Sequence, residues 1–132
     1  MIFVDTSFWV ALRNTRDGHH DTARQLAALY ADGNLVTSNQ VRGETWTFLR
    51  RKAGHRAAVT FLDMLDASSR VQIAWIDKET EETAIRWLRR HDEREFSIVD
   101  ATSFAFMRAN RIGRVLAFDG DFQAAGFVEL RP

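Results

Sequence analysis

The 132-residue sequence contains no cysteine. Disulfides, thiolate zinc sites and cysteine nucleophiles are therefore excluded, and the composition suits a reducing, cytoplasmic setting. Proline occurs once, at Pro132, and no Gly/Ser-rich stretch or repeat divides the chain, so a single domain over residues 1–132 is expected. No apolar run approaches the roughly 20 residues that a membrane-spanning helix needs. The start carries no basic leader, and Asp5 interrupts its apolar opening, so neither a signal peptide nor a membrane partner is expected. Net charge is missing too. The 18 Lys plus Arg balance 18 Asp plus Glu, which argues against a simple polycationic nucleic-acid binder.

The remaining composition, 45% hydrophobic and 27% charged, is that of a globular protein long enough to bury its own core. The bases are almost all arginine, with Lys52 and Lys78 the only lysines. Arginine suits bidentate phosphate contact, although a bias in arginine usage accounts for the count equally well. The charge balance is also uneven. If Asp5, Glu44, Asp100, Asp119 and Asp121 form one cluster, 18 acids less these five leaves 13 against 18 bases, a remainder of +5.

The patterning alternates. "MIFV", "NLVTS", "VQIAWI", "VLAF" and "FVEL" read as short strands. Between them "SFWVALRN", "HDTARQLAALYADG", "QVRGETWTFLRRKAG", "RAAVTFLDMLDAS", "KETEETAIRWLRRH" and "SIVDATSFAFMRANR" carry helical periodicity, and "DFQAAG" a helical turn. Parallel strands need crossovers, so this order predicts a three-layer α/β/α sandwich with a central, mostly parallel sheet of four to five strands. Ligands of such sheets bind beyond the carboxyl ends of the strands.

Four acids map to that edge. Asp5 and Asp119 directly follow strands, while Glu44 and Asp100 lie near the starts of helices. Gathered carboxylates repel one another by a few kcal/mol at surface-like dielectric, and Mg²⁺, with Mn²⁺ as the alternative, is the natural counterion for an all-oxygen set. Each acid also has a capping account. Asp5 fits an N-cap, Ser97 and Asp100 fit a loose capping box, Glu44 suits a helix dipole, and Asp119-Gly120-Asp121 suits a turn.

"FVDTSFW", "SNQVRGET", "SIVDATSFAFM" and "AFDGDF" resemble, in order and spacing, the four signature regions of PIN-domain ribonucleases, and among these the VapC toxins of toxin–antitoxin pairs. The resemblance implies a PIN-like fold and metal-dependent hydrolysis of RNA. It places catalytic acids at Asp5, Glu44, Asp100 and Asp119, with Asp5, Asp100, Asp119 and additionally Asp121 on metal. It further implies homodimers and a cognate small antitoxin whose tail enters the acidic site. A PIN-like nuclease of RNA processing, or a non-catalytic RNA- or metal-binding module, would share much of this pattern. An aspartyl phosphatase is disfavoured, because Ser7 stands where "DTS" would need its second aspartate.

Thr6, Ser38 and Ser97 carry hydroxyls beside these acids. Thr6 and Ser97 are the supporting candidates, and capping accounts for Ser38. Arg50 and Arg51, with Lys52 and Arg56, form one basic cluster; Arg86 and Arg90, with Arg89 and Arg94, form another. Both suit RNA phosphates or a solvated face. His19 and His20 read as a solvated helix start, and His55 and His91 as isolated surface residues. Phe8 and Trp9 are adjacent on a helix, so one of them is expected to be exposed or at an interface.

Overall fold

A computed structural model describes residues Met1–Pro132. Five strands, β1 (Ile2–Val4), β2 (Leu35–Ser38), β3 (Val71–Ala74), β4 (Arg114–Leu116) and β5 (Val128–Glu129), form one sheet in the order β3-β2-β1-β4-β5. Every pairing is parallel. Seven helices connect them: α1 (Thr6–Arg13), α2 (His20–Leu29), α3 (Asn39–Lys52), α4 (His55–Ala67), α5 (Lys78–Arg90), α6 (Ile98–Ala109) and α7 (Asp121–Ala124).

Strand order determines the layers. From β1 the chain steps to β2 and then β3, next crosses back to β4, and then steps on to β5. Parallel crossovers are right-handed, so helices α1 to α4 cover one face and α5 to α7 the other. The packing agrees, with α1 against α2 and α3, α3 against α4, α5 against α6, and α6 against α7. The direction of winding reverses between β1 and β4, and their carboxyl ends open the crevice that such a reversal leaves.

The core follows from the buried strands and the inner helix faces. Phe3, Phe104, Phe122 and Phe127 pack on the α5–α7 side, with Phe104 and Phe122 ring centroids 4.9 Å apart and nearly perpendicular. Trp9 and Phe61 meet at 5.7 Å on the other side. The expectation that Phe8 or Trp9 is exposed or at an interface fails, since both are buried within the chain's own core. Helix α1 lies between the sheet and two neighbouring helices, so residues on two of its faces are covered. Phe8 packs toward Phe118 and Trp9 toward Phe61.

Strand ends also move relative to the sequence reading. "VQIAWI" pairs only over Val71–Ala74, leaving Trp75 largely exposed with the Arg42 guanidinium 5.7 Å above its ring. "VLAF" stops pairing at Leu116. No helix is long and apolar enough to cross a membrane.

Candidate metal and nuclease site

The acids enter the crevice from four elements. Asp5 ends β1 and caps α1, and its N–H donates to Leu116 O at 3.0 Å, extending the β1–β4 ladder by one residue. Glu44 stands on α3, Asp100 in the first turn of α6, and Asp119 just beyond β4. All four line one cavity of about 390 Å³, together with Thr6, Ser7 and Ser97. Asp121 lies outside its lining. Even so, oxygens of Asp100, Asp119 and Asp121 all fall within 4.8 Å of one another. Gly120 makes this possible: at φ 80° it takes the left-handed conformation that the Asp-Gly-Asp turn requires.

Asp5 and Asp100 cap their helices and line the cavity with the same side chains. Asp100 Oδ2 accepts from Ser97 N–H at 3.0 Å while Ser97 Oγ accepts from Asp100 N–H at 2.9 Å, a full capping box. Asp5 Oδ2 accepts from both Ser7 N–H and Ser7 Oγ–H, at 3.1 and 2.7 Å. In each carboxylate the hydrogen bonds fall on Oδ2, leaving Oδ1 without a protein donor. Ser38 is a plain cap, its Oγ accepting from Val41 N–H.

Ser7 is the supporting residue that sequence reasoning missed. Its Oγ holds Asp5 and also accepts from Phe118 N–H at 3.0 Å, tying the ends of β1 and β4 together. The Asp-x-Ser spacing of an Asx turn was the available signal. His19 is exposed at the start of α2, as expected, but it is not isolated: its ring lies flat on Phe118, centroids 4.5 Å apart and planes 2° from parallel, and it lines the cavity. His91 stacks on Trp87 at 4.1 Å and bonds Glu93, and His55 meets the edge of Trp46.

Arg50, Arg51, Arg86 and Arg90 are all exposed, and none lines the cavity. Arg86 and Arg90 instead border a separate groove with Arg108, between α5 and α6. Two members of the basic clusters do reach the acidic region. Lys52 lines the cavity from the end of α3. Arg94 donates from Nε to Asp121 Oδ1 at 2.9 Å and from Nη2 to Asp119 O at 3.3 Å.

Electrostatics mark the cluster. Burial, then the Asp119 charge, push the Asp5 carboxyl up to about 8. Desolvation foremost, with Asp121, Asp100 and Glu129 adding to it, raises Asp119 to about 6. Asp100 is raised chiefly by burial. The donor set fits a hard divalent cation: it is all oxygen, and oxygens on opposite sides of a Mg²⁺ lie only about 4.2 Å apart at its usual bond length. Thr6 lines the cavity, and its Oγ1 is buried without a hydrogen-bond partner.

A pH prediction follows. Between pH 3.8 and about 8 the unfolded chain releases the Asp5 proton while the folded, metal-free protein keeps it, so stability falls as pH rises. Asp119 contributes in the same sense up to about 6. In chelator the melting temperature should drop from about pH 5 to about pH 8. Mg²⁺ should restore it most at the upper end, where fewer protons compete. A melting temperature that rises over this window in chelator would contradict the buried-carboxylate account.

The PIN domain family model matches residues 2–128, and the chain belongs to the PIN-domain family. Its relatives include the "23S rRNA-specific endonuclease VapC20" of Mycobacterium tuberculosis strains CDC 1551 / Oshkosh and ATCC 25618 / H37Rv. Each is 55% identical over 132 residues, covering 100% of this chain and 99% of the relative. The crystal structure of Mycobacterium tuberculosis VapC20, described as a sarcin–ricin loop cleaving toxin, superposes with a TM-score of 0.93 at 53% identity, covering all of both chains. Within the PIN-domain family, the chain is therefore a member of the VapC group.

Proposed function

We propose that this protein is a divalent-metal-dependent endoribonuclease, the toxin of a VapBC-type pair, acting on the sarcin–ricin loop of 23S rRNA. The observation that carries the reading is the convergence of Asp5, Glu44, Asp100 and Asp119 on one cavity at the β1/β4 reversal. The full-length 55% identity to a 23S rRNA-specific endonuclease supports the substrate.

Asp5, Asp100 and Asp119 would hold the ion, Mg²⁺ or Mn²⁺, with Asp121 a further ligand. A divalent cation bound there supplies Lewis acidity to water and phosphate oxygens. Glu44 orients the attacking water and takes its proton. The new P–O bond forms as the P–O3′ bond breaks, leaving a 5′-phosphate, while the departing 3′ oxygen takes a proton from solvent. Ser7 and Ser97 keep Asp5 and Asp100 in position. The partners implied are the RNA, a second copy of the chain, and a small antitoxin whose basic tail would neutralise the acidic crevice.

Incubation of purified protein with ribosomal RNA in Mg²⁺, in Mn²⁺ and in chelator, followed by sequencing of new 5′ ends, tests this. Metal-dependent cuts within the sarcin–ricin loop bearing 5′-phosphates are expected. Cyclic-phosphate products, or full activity in chelator, would overturn the mechanism; metal-dependent cuts elsewhere would overturn only the substrate.

A further inference from the structure

One wall of the cavity is not acidic. Phe48, on α3, is 41% exposed and lies outside the hydrophobic core. Residues Val41, Thr45 and Leu49 carry the buried face of that helix, so Phe48 contributes nothing comparable to its anchoring. Glu44, Phe48 and Lys52 instead share one stripe at i, i+4 and i+8, each step rising about 6 Å. All three line the cavity. Exposure of a single ring is ordinary on a protein surface; what distinguishes Phe48 is its place in the wall of the cavity that holds the carboxylates.

The His19–Phe118 stack lines the same cavity. Phe118 is the fixed member of the pair. Phe118 has the Arg131 guanidinium 5.0 Å from its centroid and Phe8 at 5.9 Å. The His19 backbone N–H donates to Asp17 Oδ1 at 2.8 Å, and the neighbouring His20 Nδ1 sits 2.8 Å from Ala11 O, so the segment that carries the exposed His19 ring is tied down. Pre-organised aromatic faces lower the ordering cost of binding. Proteins read single-stranded RNA loops by stacking splayed bases on such faces. Lys52, at the far end of the stripe, adds the positive charge that a phosphate requires.

We propose that the Glu44–Phe48–Lys52 stripe and the His19–Phe118 stack form a nucleotide subsite beside the carboxylates, where an unstacked RNA base lies against Phe48 and Lys52 contacts an adjoining phosphate. This rests on the endoribonuclease reading above and adds how the RNA is positioned. Phe48 is thereby a specificity-determining residue, whereas a bare carboxylate site would cut any accessible phosphodiester.

The test compares wild type, Phe48→Ala, Phe48→Tyr and His19→Ala on a stem-loop RNA carrying the sarcin–ricin sequence. Phe48→Ala should lose about 5- to 150-fold in kcat/KM, the range carried by one base–aromatic stack. Phe48→Tyr should keep most of the activity, and the Mg²⁺-induced shift in melting temperature should be the same in all four proteins. A second measurement uses the RNA with single abasic positions, bound in chelator. One abasic position should weaken binding to wild type yet leave binding to Phe48→Ala unchanged. Equal kcat/KM and equal affinity in Phe48→Ala, His19→Ala and wild type would overturn the subsite. So would a Phe48→Ala protein that loses affinity only for the antitoxin, which would assign the ring to a protein partner. If wild type cuts no RNA, the endoribonuclease reading falls, and the abasic series alone decides the subsite.

Discussion

Asp100→Asn should abolish nearly all RNA cleavage while leaving α6 folded. The capping box explains why the substitution is clean. Asp100 accepts from Ser97 N–H through a single oxygen, and an amide oxygen can do the same. What is lost is the helix-dipole interaction of the charge, about 0.3–1 kcal/mol. What is gained is relief for a buried carboxyl whose charged form is already disfavoured by desolvation and by Asp121 and Glu44. The metal-free variant should therefore melt at or above wild type near pH 8, and Mg²⁺ should stabilise it less, because binding stabilises only as far as affinity permits. Changes one shell removed from a metal cost 10–100-fold in affinity or activity, so loss of a direct ligand should cost about a hundredfold or more. Thermal melts with and without Mg²⁺, alongside rates on the stem-loop RNA, check both halves. A destabilised variant that retained its Mg²⁺ response and its cleavage would remove Asp100 from the site and leave it only a cap.

Expression of the wild-type protein alone should reduce colony formation by orders of magnitude, and Asp100→Asn should be harmless at equal protein level. Enzymes typically turn over between about 1 and 10³ times per second. A few copies of a nuclease acting on ribosomal RNA could therefore disable the far larger ribosome pool within a generation. Co-expression of the proposed antitoxin should restore growth. A tail bearing arginine is the expected means, since guanidinium pairs bidentately with carboxylates and the crevice offers Asp5, Glu44, Asp100 and Asp119. Plating across an induction series measures the effect. Harmless accumulation of protein verified to cleave RNA in vitro would instead indicate a processing nuclease.

The acids were legible because they occupy positions defined by local pattern. Asp5 and Asp119 follow apolar strand runs, and Asp100 follows Ser97 at capping spacing. Local pattern said nothing about Lys52 beyond its basic neighbours, yet the α3 stripe brings it into the cavity while Arg50 and Arg51 stay outside. Successive residues of a helix project about 100° apart, so the three residues of the run do not all face the cavity. Arg94 was grouped with Arg86 and Arg90 by proximity in sequence. It sits beyond the end of α5 and reaches Asp121, 27 residues away.

By itself the sequence determined the alternation of strand and helix, the parallel sheet that alternation requires, and the acids at the strand ends. Those are local consequences of hydrophobic period and of turn and cap chemistry. Strand order was decided by the tertiary structure alone, because it depends on which nonlocal pairs bury the most apolar surface. That order places β4 beside β1 and so brings four separate acids to one cavity. It also set His19 on Phe118 and Phe48 at the crevice wall. Rings far apart in the chain meet only once the layers have closed, and no spacing in the sequence encodes that meeting.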